Sequence, residues 1–353
     1  MWGNNIKLSL FGESHGEAIG IVIEGLPSGT TIDHDLITQD MNRRKPGTSL
    51  LTTSRKESDQ VHIISGVYNG KTTGAPLCAM IYNEDHHSSS YDILKTHMRP
   101  SHSDYSAYIK YHGYNDIRGG GHFSGRLTAP IVFAGAIAKM ILNKHDIYVG
   151  AHISCVKDIH DKKFETIITK QQLDELKYKS LPVLDDTCIT QIKNTIEQAR
   201  SEKDSVGGKI ECAIINVPAG LGNPFFNSLE SHISSLMFSI PGVKSITFGT
   251  DMTSMHGSEA NDEYYYDKEQ VKTYTNHNGG ILGGISNGMP IVFEVGAKPT
   301  PSIGKIQKTI NIETKDNVQL ELKGRHDPCI VPRAVVVVEA MAALAILDMM
   351  NIK

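Results

Sequence analysis

The chain has 353 residues, a length that allows two domains or one large one; 39% are hydrophobic and 21% charged, ordinary values for a globular protein with a substantial core. Lys and Arg total 35 against 39 Asp and Glu, and the formal net charge of −4 argues against a general nucleic-acid binder, which needs a basic excess. Five cysteines without a C-x-x-C pair argue against a disulfide framework or a zinc site, so a reducing, cytoplasmic setting is expected.

In chain order, the first element is a β-like segment over residues 7–11. The opening residues before it lack the apolar region of a signal peptide. Gly12-Glu13-Ser14-His15-Gly16 follows, where flanking glycines permit a tight turn that exposes the polar trio. Taken alone it also reads as a turn with an incidental histidine. Ala18–Glu24 is a second Ile/Val-rich strand, and Asp33 caps a helix running to about Arg44. The cations of Arg43-Arg44-Lys45-Pro46-Gly47 close that helix, where they complement its dipole.

Strands are predicted over 61–65 and Leu77–Tyr82. Between them, residues 65–72 resemble a phosphate-binding P-loop, but Ser65 stands where its first Gly is required and no helix can open at Thr73-Gly74-Ala75-Pro76. A β-turn is the better reading. His86-His87 are adjacent, point different ways on any regular element, and make no metal pair.

Arg99-Pro100-Ser101-His102-Ser103-Asp104-Tyr105 brings a cation, an imidazole and hydroxyls into one extended, Pro-fixed stretch; a solvated loop is the competing reading. Arg118-Gly119-Gly120-Gly121-His122-Phe123-Ser124-Gly125-Arg126 lacks G-x-G-x-x-G spacing, yet leads straight into an apolar helix over 131–142 capped by Thr128. Glycines that let backbone approach a ligand, a helix start and two arginines favour anion binding there.

Helices are expected over 190–203 and 228–239, and strands over 209–217, 244–248 and 290–295. Lys298-Pro299-Thr300-Pro301-Ser302 and Gly324-Arg325-His326-Asp327-Pro328-Cys329 again combine cations with hydroxyls or a carboxylate, and Cys329 reads as a small buried residue. A last helix covers about 333–350; its apolar stretch, broken by Glu339, is shorter than the ~20 residues that span a bilayer. The pattern is α+β with antiparallel sheets rather than a Rossmann fold. Separate Arg/His/Ser clusters without an acidic dyad describe a site where proton transfer acts on a multiply anionic small molecule. Residue chemistry alone does not supply a flavin.

Those segments, in this order and over nearly the full chain, resemble the chorismate synthase family. Further matching segments are Ser65-Gly66-Val67, Ser205-Val206-Gly207-Gly208, Val217-Pro218-Ala219-Gly220-Leu221-Gly222 and Gly279-Gly280-Ile281-Leu282-Gly283-Gly284-Ile285-Ser286. The resemblance implies a carbon–oxygen lyase that eliminates phosphate from 5-enolpyruvylshikimate 3-phosphate to give chorismate. This anti-1,4-elimination is the last common step to the aromatic amino acids, and it requires reduced FMN without net redox change. It implies one domain over 1–353, built as a β-α-β sandwich of two antiparallel sheets around a helical layer, and a homotetramer that binds neither membrane nor nucleic acid.

By position, His15 matches the histidine that protonates the departing phosphate, and His102 the one that protonates the flavin near N1. Asp327 with Ser14 matches the relay that takes a proton from flavin N5. Arg44, Arg99 and Arg126 match substrate-side cations. FMN contacts carry over to His122, Phe123, Ser124, Gly283, Lys298, Thr300, Pro301, Ser302 and Arg325. His122 replaces a frequent Arg, Leu127 a Glu and Pro301 a Ser; Leu50 replaces an Arg found in many members, which argues against a built NADPH site and for an external source of reduced flavin. A flavin reductase on the same scaffold and a non-catalytic anion-binding module are the other readings; proton carriers at His15, His102 and Asp327 argue against mere binding.

Overall fold

The computed structural model describes residues 1–47, 57–84, 89–322 and 327–352. Its helices are α1 (His34–Arg44), α2 (Asp104–Lys110), α3 (Thr128–Asn143), α4 (Lys170–Tyr178), α5 (Ile189–Ser201), α6 (Leu229–Met237), α7 (Gly257–Ala260) and α8 (Val331–Met349). Asp33 caps α1 as expected, its carboxylate accepting the N–H groups of Asp35 and Leu36. At α3 the cap differs from expectation. Ser124 caps a preceding 3-10 turn, and Thr128 is already helical, its hydroxyl donating to the Gly125 carbonyl at 2.6 Å.

Two antiparallel sheets form the outer layers. The first orders its strands as Lys7–Gly12, Ala18–Glu24, Leu77–Tyr82 and His62–Ser65. In the second the order is Val243–Phe248, Ile291–Ala297, Gly208–Ile215, Tyr148–Val156 and Ile159–His160. Strand Tyr148–Val156 escapes sequence reading because both its faces are buried, so no polar alternation marks it. The P-loop look-alike is a hairpin turn: Asn69 and Gly70 both take positive φ, 48° and 71°, between Val67–Tyr68 and Lys71–Thr72.

Helices α3 and α8 fill the space between the sheets. Helix α3 packs on strands Ala18–Glu24 and Leu77–Tyr82, α8 on Tyr148–Val156 and Gly208–Ile215, and the two helices pack on each other. Their apolar side chains join one continuous core with both sheets. They approach so closely that a Cβ on Gly135 would stand 2.2 Å from that of Ala340. Residues Gly125–Asn143 are long and apolar enough to cross a membrane, but 94% of that stretch is buried inside the protein.

Into this apolar layer the chain inserts four charges. Glu339 of α8, with no exposure at all, accepts two hydrogen bonds from Arg43 of α1, both 2.7 Å, and one from Lys139 of α3 at 2.6 Å. Asp40 completes the group, 2.9 Å from Lys139 and 3.2 Å from Arg43, and the Ala151 N–H donates to Glu339 at 3.2 Å. Arg43 therefore serves an inter-helix ion cluster rather than its own helix dipole. Burial alone raises a carboxyl pKa, but Arg43 and Lys139 overcome it and hold Glu339 well below the usual range.

Replacing Glu339 by Gln leaves two buried cations sharing the single carboxylate of Asp40, and should destabilise the protein by about 3–5 kcal/mol. Because the folded-state pKa is depressed, the carboxylate's contribution is complete above its unfolded value of ~4.3 and is lost as pH falls through the depressed one. Urea unfolding should therefore show a constant gap between wild type and Glu339→Gln near neutrality, narrowing only in strong acid. A gap that closes between neutrality and pH ~6 would contradict this arrangement.

Candidate active site

The loop between the first two strands carries Ser14 and His15, both buried, with His15 Nδ1 3.2 Å from Ser14 Oγ. Two contacts fix it. The Ser14 N–H donates to the Gly121 carbonyl at 3.1 Å, and the Asn83 amide donates to the carbonyls of Glu13 and Gly16 at 3.1 and 2.8 Å. Asp116 also faces His15; the doubly bonded Arg118 outweighs burial and holds its carboxyl below the usual range, with a smaller contribution from His15.

The triple glycine lies across this loop. Gly119, Gly120 and Gly121 have φ of 59°, 91° and 53°, a region that side-chain-bearing residues rarely occupy. A Cβ on Gly119 would stand 2.3 Å from the His15 ring and 2.8 Å from Ser14 Oγ; one on Gly120 would stand 3.3 Å from His102 Nε2. Consecutive Cα atoms are ~3.8 Å apart, so two histidines distant in sequence meet on neighbouring glycines. Absence of side chains at these positions is what lets them converge.

His102 sits on a turn rather than an extended stretch, because Ser101 is left-handed at φ 58° and α2 begins at Asp104. Its Nδ1 lies 2.6 Å from Asp104 Oδ1. An Nδ1–H donated to that carboxylate leaves Nε2, on the Gly120 side, to exchange a proton. Asp104 also receives Arg99 through Nε at 2.7 Å and Nη2 at 2.8 Å. Against the effect of burial, Arg99 and then His102 keep the Asp104 carboxyl far below its ordinary pKa. The Arg99 fork is thus engaged on Asp104, and its Nη1 reaches Ser302 Oγ at 3.3 Å.

That last contact brings the segment 298–302 alongside. Lys298 donates through Nζ to the Ser101 carbonyl at 2.5 Å, and the Thr300 carbonyl accepts from Ser205 Oγ at 2.7 Å. Thr300 Oγ1 is buried without a hydrogen-bond partner among the described residues. Pro301 is half-buried between Thr300 and Ser302. The Val206 N–H donates to the Pro328 carbonyl at 2.8 Å, docking the Asp327 segment beside Ser205.

On the other side, Arg44 and Arg126 each bond one oxygen of Asp59. Arg126 Nε donates to Asn83 Oδ1 at 2.9 Å, which links this pair to the His15 loop. Arg333, in the first turn of α8, donates to the Arg44 carbonyl at 2.9 Å and to Asp327 at 2.5 Å. Burial, offset in part by Asp59, brings the Arg44 guanidinium down to about 10, with Arg333 and Arg126 adding to the lowering.

Other expected residues stand further out. His122 is exposed, its Nδ1 2.8 Å from the Gly12 carbonyl, and Phe123 leans on Tyr111 with ring centroids 6.2 Å apart. Ser124 accepts the Arg126 N–H at 3.2 Å. Gly283 turns the hairpin of Ile281–Leu282 and Ile285–Ser286, with open space where a Cβ would be. Arg325 and Leu50 lie outside the described residues. Sequence reasoning missed Asp59, Asn83, Asp116 and Arg333, none of which stands in a recognisable pattern. The role of Asp104 was hidden although its segment was singled out. Cys329 is buried as expected, and burial pushes its thiol up to about 12. Among the described residues no His, Cys, Asp and Glu group could hold a metal.

The family model for chorismate synthase matches residues 6–351. The chorismate synthase of Thermococcus gammatolerans is 44% identical, covering 99% of this chain and 96% of its own length. That of Dehalococcoides mccartyi is 42% identical over 98% and 95%. A solved structure described as a crystal structure of chorismate synthase superposes with a TM-score of 0.75 at 25% identity, covering 98% of this chain and 92% of the other. Two antiparallel sheets around α3 and α8, histidines converging on a glycine loop, and likeness along the whole length lead to one assignment: the chain belongs to the chorismate synthase family.

Proposed function

We propose that this chain converts 5-enolpyruvylshikimate 3-phosphate to chorismate and phosphate with reduced FMN bound at the same site. The observation that carries this reading is the meeting of His15 and His102 on adjacent glycines, beside buried arginines. Phosphate leaves poorly as an unprotonated polyanion, so the reaction needs a proton donor and fixed positive charge. His15 is the donor to the departing phosphate. Arg44 and Arg126 face the substrate's anionic groups. Arg99 contributes through Asp104 and Ser302 as much as through its own charge. His102, oriented by Asp104, holds a proton for the flavin N1 side, and Asp327 with Ser14 would relay a proton away from the flavin N5 side.

The residues suit a flavin in two respects. Thr300 Oγ1 is a buried hydroxyl without a partner among the described residues, and Lys298, Pro301 and Ser302 run beside the His102 turn. Gly283 lies apart from them, at the Ile291 end of the strand whose other end leads to Lys298. With His122, Phe123, Ser124 and Arg325 they would hold FMN. When bound and reduced, FMN supplies electron density for breaking the C3–O bond and is regenerated unchanged. The working form in this proposal is a cytoplasmic homotetramer of one-domain chains that takes reduced flavin from an external reductase.

His15→Ala and His102→Ala should each lower turnover by roughly 10²–10⁴-fold while retaining the wild-type circular dichroism spectrum. Anaerobic phosphate release with chemically reduced FMN measures this; near wild-type turnover in either variant removes that histidine's role. A second measurement concerns the reductant. With NADPH and oxidised FMN alone, in air, purified protein should make no sustained chorismate, and adding a flavin reductase should restore production. Sustained product without the reductase would show that the chain reduces its own flavin.

A further inference from the structure

Arg44 and Arg126 come from segments far apart in the chain, yet both guanidinium groups are buried and turned toward one another's neighbourhood. Their side chains are 2% and 8% exposed, and the carboxylate between them, Asp59, is 1% exposed. One oxygen of Asp59 takes Arg44 Nη2 and the other takes Arg126 Nη1. Asp59 has a left-handed backbone, φ 52°, which Asp tolerates better than most residues and which aims its side chain inward here. Both arginines outweigh the effect of burial and keep its carboxyl below the ordinary range.

Two buried guanidinium groups repel each other and have lost the water that would screen them. Something must hold them in place before a substrate arrives. Glu57 is 3.5 Å from Arg126 Nη2 and does not bridge the two. Arg333 adds a further positive charge close to Arg44. Arg126 is also bonded to Asn83, whose amide holds the carbonyls on either side of Ser14 and His15. A shift of Arg126 therefore disturbs the His15 loop as well.

We propose that Asp59 is a positioning residue: it holds the Arg44 and Arg126 guanidinium groups side by side as a preformed clamp for the anionic substrate. This rests on the reading of Arg44 and Arg126 as substrate-side cations. Each guanidinium has five N–H donors. Arg44 gives Asp59 one, whereas Arg126 also gives Nε to Asn83 and turns Nη2 toward the Tyr82 carbonyl at 3.4 Å, so the donors left for an incoming oxyanion are mainly those of Arg44. Arg44 Nε, buried without an acceptor among the described residues, is such a donor. Once substrate is bound, its own negative charge supplies compensation, so the need for Asp59 is greatest in the unliganded enzyme.

The test compares wild type with Asp59→Asn, Asp59→Glu, Arg44→Gln and the double variant Asp59→Asn/Arg44→Gln, all assayed anaerobically with chemically reduced FMN. Asp59→Asn keeps the shape and removes the charge; the KM for substrate should rise roughly 10–100-fold, with a smaller change in kcat. Asp59→Glu, which keeps the charge, should recover part of that loss. In the Arg44→Gln background the effect of Asp59→Asn should shrink to within ~3-fold, since a residue acting through another is non-additive with it. A lowered Tm with unchanged KM in Asp59→Asn, or full additivity, overturns the proposal. If Asp59→Asn does not fold, Asp59→Glu decides: a raised KM at wild-type Tm supports the clamp and an unchanged KM overturns it. If Arg44→Gln by itself leaves KM unchanged, the substrate reading fails and the clamp falls with it. A raised KM in Arg44→Gln beside an unchanged one in Asp59→Asn rejects Asp59 alone.

Discussion

The arrangement of this protein turns on one carboxylate with no access to water. Glu339 lies in the helical layer between two sheets, where an unpaired charge would cost several kcal/mol. It is tolerable only while Arg43 and Lys139 are both in bonding distance, each from a different helix. The hydrophobic effect is non-directional. A buried ion cluster is directional, because its geometry must be met on all sides at once. Helices α1, α3 and α8 are thereby held in one register, and the Ala151 N–H ties the second sheet to it.

That register reaches the candidate site through sequence neighbours. Arg44 follows Arg43, so fixing the last turn of α1 also fixes where Arg44 enters the site. Arg126 precedes α3 by two residues, and Arg333 lies in the first turn of α8. The contacts of Arg44 with Asp59 and Arg333 gather one helix C-terminus and two helix N-termini at the same end of the layer. The two N-termini add their partial positive charge to that of the arginines. Anion binding is therefore a property of how the layer is assembled, as well as of the individual cations.

The histidines depend on the backbone as well as on charge. Gly119 and Gly120 bring His15 and His102 together because they have no side chains to keep them apart. Asp104 then orients His102, and Asn83 steadies the His15 loop from beneath. Ion pairs hold both sides of the site, Asp59 with Arg44 and Arg126 on one and Asp104 with Arg99 and His102 on the other, where close packing on the glycines and backbone hydrogen bonds add to them.

Much of this is legible in the sequence. Strands Ala18–Glu24 and Leu77–Tyr82 occur with the boundaries read from their Ile/Val-rich runs, and Asp33 caps α1 as its position suggests. The antiparallel α+β class and the family followed from local periodicity and from motifs in a fixed order, both of which are properties of neighbouring residues. Helix α2 and strand Tyr148–Val156 were not legible, the first for want of an apolar period and the second because burial on both faces removes alternation. Only the tertiary structure decided that Arg43 serves Glu339, that the Arg99 fork is taken by Asp104, and that Asp59 lies between Arg44 and Arg126. Each of these is a pairing of charges whose partner depends on how the chain packs. Charge identity is written in the sequence, but distance and burial, which set what a charge does, exist only once the layers have closed around it.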